Sequence, residues 1–231
     1  MSQSKREGPV ITLDGPAGSG KSTTAREVAR RLGYRHLDSG ALYRALTYGL
    51  MQKGIPTSEW PTLSEDDLHA LDVHMVPAAT GYEVRVAGRV VDEELRSPEI
   101  TTHASKLSAL PAVRGCLMDL QREAGASGAL VTDGRDMGTV VFPDAEVKVY
   151  LVAGLDERAR RRLLDRKEEA LDPAAIAREA GAIAERDRRD SSREISPLRR
   201  PDDAQLIDTT GMDFEDQVEA VVSLVRQLTP P

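Results

Sequence analysis

Apolar and polar positions along this chain follow two periods, and the change from one to the other marks the elements. Val10, Ile11, Thr12 and Leu13 form a short β-prone apolar run, and Ala25, Val28, Ala29 and Leu32 then recur at helical spacing. Residues 34–37 read as a second short strand, and Leu42, Ala45, Leu46, Gly49 and Leu50 as the apolar face of the next helix, with Ser39 its expected N-cap. Between 55 and 100 the helical period is lost. Pro56, Pro61 and Pro77 punctuate this stretch, residues 82–86 alternate, Ala87 and Gly88 turn, and residues 89–91 return. That predicts a β-hairpin, with a third strand around 72–76. Helical patterns resume at 101–109 and 112–124, and residues 125–128, between two glycines, end them.

The second half alternates again. Residues 129–133 form a buried strand ending in Asp133, and 146–152 supply another. Asp156 is expected to cap a helix. Asp172 and Pro173 open a longer one with Ile176, Ala180, Ile183 and Ala184 inward, ended by Pro197. Residues 205–208 are a last strand, and Phe214, Val218, Val221, Val222 and Val225 the inward face of a final helix. Repeated strand–helix alternation predicts an α/β fold, a parallel β-sheet flanked by helices with a small antiparallel β insert. A site is expected at the carboxyl ends of the strands.

At 231 residues the chain suffices for one main domain. The opening MSQSKREGPV has no apolar stretch long enough for a signal peptide, and no run approaches a membrane span, so a cytoplasmic protein with no membrane partner is expected. The single Cys116 excludes an internal disulfide and a cysteine-built zinc site, and its apolar helical setting reads as a buried, inert thiol. A net charge of −7 argues against nucleic acid as a partner. Residues 158–200, however, hold 13 Lys and Arg against 9 Asp and Glu, a local +4 that leaves −11 elsewhere. Arginine greatly outnumbers lysine, which suits bidentate recognition of a small polyanion.

One stretch carries explicit chemistry. Gly15, Pro16, Ala17, Gly18, Ser19, Gly20, Lys21 and Ser22, followed by Thr23, match G-x-x-x-x-G-K-[ST] between a strand and a helix. Glycines let successive N–H groups turn around an anion, and the helix N-terminus adds donors and a positive dipole end. Lys21, read as exposed until phosphate arrives, can reach the β- and γ-phosphates of ATP, and the Ser22 hydroxyl can ligate Mg²⁺. An apolar strand ending in an acid belongs to the same fold, where Asp133 would orient Mg²⁺ through water. Arg158, Arg161 and Arg162, at i, i+3 and i+4, fall on one helix face. Their repulsion is explained if a phosphate chain neutralises them, although a solvated face has the same pattern. Tyr43 and Arg44 lie in the first turns of their helix, which is also compatible with an ordinary surface arginine. Arg186, Asp190 and Arg193 follow at i, i+4 and i+7, with Arg186 and Asp190 able to pair.

Taken together, DGPAGSGKST, LDSGALYR, HASKLSALPAVR, TDGRDMGTVVFPDA, RARRR, ERDRRDSSR with SPL, and LIDTT resemble the bacterial cytidylate kinase family of short-type nucleoside monophosphate kinases, from residue 10 to about 226. The resemblance implies a single P-loop kinase domain over 1–231, with a monophosphate-binding region at about 38–125, its insert near 60–100, and a LID at about 155–170. It implies ATP and CMP or dCMP as substrates, Mg²⁺ with ATP as cofactor, and a monomer. It assigns Ser39, Ser105, Arg114, Asp136 and Arg193 to the cytosine end, Tyr43, Arg186 and Asp190 to the ribose, Arg44 and Arg135 to the monophosphate, and Arg158 and Arg162 to the LID. Lys21, Arg135, Arg158 and Arg162 are the expected catalytic residues. The residue types fit cytosine: an arginine donates to O2 and N3 and a carboxylate accepts from N4, whereas uracil would leave both unmatched. Kinases for UMP, AMP or shikimate, and a non-catalytic ATP-dependent regulator, remain the alternatives. A GTPase is disfavoured by the absence of N-K-x-D.

Overall fold

The computed structural model describes residues 6–166 and 172–229. The all-buried apolar run becomes β1 (Val10–Asp14), the middle of the sheet, because only a strand covered on both faces buries every side chain. It pairs in parallel with β6 (Leu130–Gly134) on one side and β7 (Val147–Val152) on the other. β2 (Arg35–Asp38) adds in parallel outside β6, and β8 (Gln205–Asp208) outside β7.

Helices cover both faces. α1 (Lys21–Leu32), stopped by Gly33 at φ 69°, packs with α8 (Phe214–Leu228) over Ile11, Leu13, Val131, Val149 and Leu151. On the other face α2 (Ser39–Gln52), α4 (Pro98–Leu107) and α5 (Pro111–Gly125) enclose Leu42, Leu46, Leu50, Leu107 and Leu117. The short α3 (Glu65–His69) opens with a capping box on Ser64. α6 (Leu155–Asp165) and α7 (Pro173–Ser192) stand over the carboxyl end of the sheet. Among the described residues, no helix is long and apolar enough to cross a membrane.

Several sequence expectations are corrected. The hairpin β3 (Val73–Ala78) and β4 (Gly81–Val86), with β5 (Arg89–Val90), is not a separate sheet: β4 joins the parallel sheet at one position, His36 beside Gly81. A Cβ at Gly81 would stand 2.6 Å from the His36 carbonyl oxygen, so glycine permits that junction. Asp38, not Ser39, caps α2, its Oδ1 accepting from Ala41 N at 3.0 Å. Gly154 precedes α6 without a side-chain cap, so Asp156 lies inside the first turn. Asp172 does cap α7, accepting from Ala175 N at 2.7 Å. Ala184 faces solvent, and Phe214 is 50% exposed at the start of α8. α7 ends at Ser192, five residues before Pro197, leaving Arg193 outside the helix. Cys116 is partly exposed, its thiol pushed up to about 11, chiefly by burial and then by the charge of Glu65.

Candidate active site

The chain leaves β1 into the glycine-rich loop through a turn that needs glycine. Gly15 has φ 148° and a Cβ there would collide with the Leu151 carbonyl, while Gly18 and Gly20 lie at φ 75° and 87°. Gly20 precedes α1 without a side-chain cap, so the helix turns uncapped N–H donors toward the cleft. Lys21 is buried rather than exposed, at 5%. Its Nζ donates to the Pro16 carbonyl at 2.7 Å, and burial, then the Arg135 charge, hold its pKa well below the usual lysine value.

Parallel register brings the acid to the loop. Leu13 lies beside Asp133 and Asp38 lies beside Asp133 on the other flank, so three strand ends meet there. The Ser22 hydroxyl donates to Asp133 Oδ2 in a short hydrogen bond, and His36 Nε2 lies 2.9 Å from Asp133 Oδ1. The Ser39 hydroxyl donates to the Asp133 carbonyl at 2.7 Å. A hydroxyl and a carboxylate touching beside a phosphate loop form an all-oxygen donor set that suits Mg²⁺ bound largely by water and phosphate. Among the described residues there is no cluster of three or more His, Cys, Asp and Glu that could cage a metal unaided.

Past β6 the chain turns through a single π-type turn (Met137–Val141), held because the Asp14 carboxylate accepts from Met137 N at 3.0 Å and Gly138 N at 2.7 Å. Burial pushes the Asp14 carboxyl up to about 7 in spite of those donors. The turn aims Arg135 and Asp136 in different directions. Arg135 Nε donates to Asp190 Oδ2 at 2.9 Å, and Asp136 Oδ2 accepts from Arg114 Nη1 at 2.8 Å, deep in the protein. Arg114 is itself fixed by Nε on the Ser108 carbonyl at 2.9 Å and lies 5.6 Å from the Tyr43 ring centroid. Arg193 donates to the Ser108 hydroxyl at 3.1 Å and to the Asp190 carbonyl at 3.1 Å, so it joins this group from beyond the helix end.

These groups line one cleft of about 700 Å³. Its inner end holds Tyr43, Ser105, Arg114, Asp136 and Arg193, its middle Arg44, Arg135, Arg186 and Asp190, and its outer end Lys21, Ser22, Thr23, Arg162 and Phe214. Four buried polar atoms facing it have no hydrogen-bond partner: Ser105 Oγ, Arg44 Nε, Arg186 Nε and Arg193 Nη2. Orphaned donors concentrated in one cleft are what a ligand rich in acceptors would satisfy.

Two expected pairings take a different form. Arg186 Nε stays 4.0 Å from Asp190, because Arg135 has taken that carboxylate oxygen, and burial with the Arg135 charge drives the Arg186 pKa down to about 9. Arg158, Arg161 and Arg162 do not share a task. Arg158 is tucked under the glycine-rich loop, donating to the carbonyls of Ala17 and Ala153 at 3.0 Å and in a short contact to Asp187, which also accepts from Ala17 N at 2.9 Å. Arg161 binds the Thr209 carbonyl at 2.7 Å, and Arg162, which lines the cleft, pairs with Glu179 at 3.2 Å. Residues 167–170 of the expected LID lie outside the described residues. Sequence reasoning also missed His36, Asp38, Ser108, Asp187, Met212 and Phe214; Asp38 had a readable signal, an N-capping type opening LDSGALYR, and His36 had none.

A parallel sheet with a phosphate loop after its central strand, an acid ending the adjacent strand and an arginine-lined cleft define a P-loop nucleotide-binding protein with the architecture of small kinases. The chain belongs to the cytidylate kinase family: the family profile described as Cytidylate kinase matches residues 11–227. It is 40% identical over 218 residues to a cytidylate kinase of Exiguobacterium sp. (strain ATCC BAA-1283 / AT1b), covering 94% of this chain and 96% of that one. Against a cytidylate kinase of Limosilactobacillus fermentum it is 39% identical, covering 96% and 97%. It is 42% identical to a bifunctional pantoate ligase/cytidylate kinase of Prochlorococcus marinus (strain MIT 9303), covering 96% of this chain but 46% of that protein. The chain thus spans about half the length of the bifunctional relatives it matches. A solved structure of an uncharacterized protein from Eubacterium ventriosum superposes with TM-score 0.54 over 96% of this chain and 99% of its own, at 10% identity, a likeness of fold alone.

Proposed function

We propose that this chain transfers the γ-phosphoryl group of ATP to CMP or dCMP, giving ADP and CDP or dCDP. The observation that carries the reading is the buried Arg114–Asp136 pair at the closed end of a cleft whose other end is a phosphate loop. That pair offers guanidinium donors and a carboxylate acceptor to a base whose edge carries O2, N3 and an N4 amino group. Ser105 Oγ and Arg193 Nη2 add unmet hydrogen bonds at the same end. Tyr43, Arg186 and Asp190 flank the sugar, and Arg44, Arg135 and Arg186 face the acceptor phosphate.

At the outer end, the backbone N–H groups of residues 15–23 and Lys21 receive the ATP phosphates, and Met212 and Phe214 offer the exposed apolar surface for the donor base. Ser22, and Asp133 through water, hold Mg²⁺, which when bound neutralises charge on the β- and γ-phosphate oxygens. The acceptor is already ionised, so no side chain is required as base, and the work is alignment and charge neutralisation. Breaking the Lys21–Pro16 contact frees the ammonium for the transferring group. α6 and α7 act as the LID that excludes water, with Arg162 brought to the phosphates. The residues 38–125 form the monophosphate-binding region, and a site complete within one chain supports a monomer acting in the cytoplasm.

The test is ADP release with ATP, Mg²⁺ and CMP, dCMP, UMP, AMP or shikimate in turn. CMP and dCMP should lead the panel by at least tenfold in kcat/KM. Equal rates with UMP, a preference for AMP or shikimate, or no acceptor-dependent release would overturn the reading.

A further inference from the structure

Asp133 is a buried carboxylate whose usefulness depends on which way its two oxygens point. The terminal torsion of an aspartate is broad and roughly two-fold, so a carboxylate free on one side would sample many orientations. Here both oxygens are committed. Ser22 donates to Oδ2 on the phosphate-loop side, and His36 Nε2 sits 2.9 Å from Oδ1 on the opposite side. A carboxylate only accepts, so the ring nitrogen facing it donates. His36 and Asp133 side chains are both under one-tenth exposed, so water does not supply this contact instead.

The scaffold fixes the imidazole as firmly as the imidazole fixes the acid. In the β2–β6 register His36 stands beside Val131, two residues short of Asp133, so only a side chain with a donor about as far out as Nε2 reaches the carboxylate. Gly81 lets β4 press against the His36 carbonyl at the single point where the hairpin joins the sheet. Arg44 is engaged by Asp38 and Arg135 by Asp190, and no hydrogen bond from either reaches Asp133.

We propose that His36 is a positioning residue that holds Asp133 Oδ2 toward Ser22 and the metal–phosphate site, acting through the carboxylate and touching no substrate itself. This rests on the functional reading above for the presence of Mg·ATP, and extends it to a residue that the motifs do not contain. Groups behind a metal site that orient its ligands typically contribute roughly 10–100-fold in metal affinity. The effect should therefore appear in the metal-dependent part of ATP binding, not in the phosphate loop's own grip.

The experiment is calorimetric titration of ATP into wild type, His36→Leu, His36→Gln and His36→Asn, with Mg²⁺ and with EDTA, alongside thermal unfolding of each. Binding in EDTA should stay within about twofold throughout, while the gain in affinity given by Mg²⁺ falls about tenfold or more in His36→Leu. His36→Gln, whose amide nitrogen reaches about as far as Nε2, should recover most of that gain, and the shorter His36→Asn should not. A His36→Leu protein with lowered Tm and an intact Mg²⁺ gain would overturn the proposal and make the pair structural. If His36→Leu does not fold, the Gln and Asn variants decide, and equal Mg²⁺ gains in the two overturn it. Wild type that binds ATP with a Mg²⁺ gain but phosphorylates no monophosphate would sink the functional reading and leave this one standing.

Discussion

Replacing Asp136 by Asn tests base recognition. Arg114 Nη1 stands 2.8 Å from Asp136 Oδ2 and carries only donors, so an asparagine there must turn its carbonyl to Arg114 and its NH₂ into the cleft. Cytosine N4 then meets a donor where it had a charged acceptor, a loss of about 2 kcal/mol, while uracil O4 gains a neutral hydrogen bond of about 1 kcal/mol. The two act in opposite directions, so the UMP/CMP ratio of kcat/KM should rise by about 3 kcal/mol, on the order of a hundredfold. The variant also leaves the Arg114 cation buried without its counter-charge, at a cost of about 3 kcal/mol and a fall of roughly 6–12 °C in Tm. Coupled ADP release should therefore be run well below the variant's Tm, with CMP and UMP each varied at saturating Mg·ATP. Loss of activity on both nucleotides by one common factor would refute the reasoning and reduce Asp136 to a support for Arg114.

Lys21→Ala should lower kcat by at least about a hundredfold while Tm changes little, because the buried ammonium is held only by the Pro16 carbonyl and a long contact to Ser19; near-normal turnover removes it from the phosphate site. Asp190→Ala should reduce kcat/KM for both CMP and dCMP by about tenfold or more, since it releases Arg135 as well as any sugar contact, and a loss confined to CMP would leave the ribose role alone. Asp14 ties stability to pH. Its folded pKa of about 7 lies above the unfolded carboxylate value, so its contribution is fully present below the unfolded pKa and is lost as pH rises to about 7. Denaturant midpoints of wild type minus Asp14→Asn should fall between pH 4 and 7 and then level off, and a flat difference would contradict the assigned burial effect.

The five parallel strands and most helices were legible because burial on both faces leaves continuous apolar runs and burial on one leaves a helical stripe. What was hidden depends on contacts between distant segments. The hairpin joins the sheet at His36 and Gly81 alone, a junction set by one missing Cβ, and nothing local marks it. Ser39 and Asp38 are both capping types, and Arg44, which pairs with Asp38 at 2.8 Å, is part of what separates their roles. Helical spacing correctly put Arg186 within reach of Asp190, but a competitor from the end of β6 took the oxygen. Phe214 satisfied the apolar period of α8 yet sits at the helix start, where the cleft opens and no layer covers it. The phosphate loop needed no such help, since glycines, lysine and serine at fixed spacing carry their chemistry within one turn.

The cross-link of Arg158, Asp187 and the Ala17 backbone has a mechanical consequence. It pins the start of α6 and the latter half of α7 to the rim of the phosphate loop at one spot, so any swing of these helices over the cleft has its fulcrum there. At 1.5 Å of rise per residue, Arg162 lies on a lever arm of about 6 Å and Asp165 on one of about 10 Å. A rotation of about 20° then carries Arg162 through roughly 2 Å, enough to exchange Glu179 for a phosphate oxygen, without stretching the loop that holds the nucleotide.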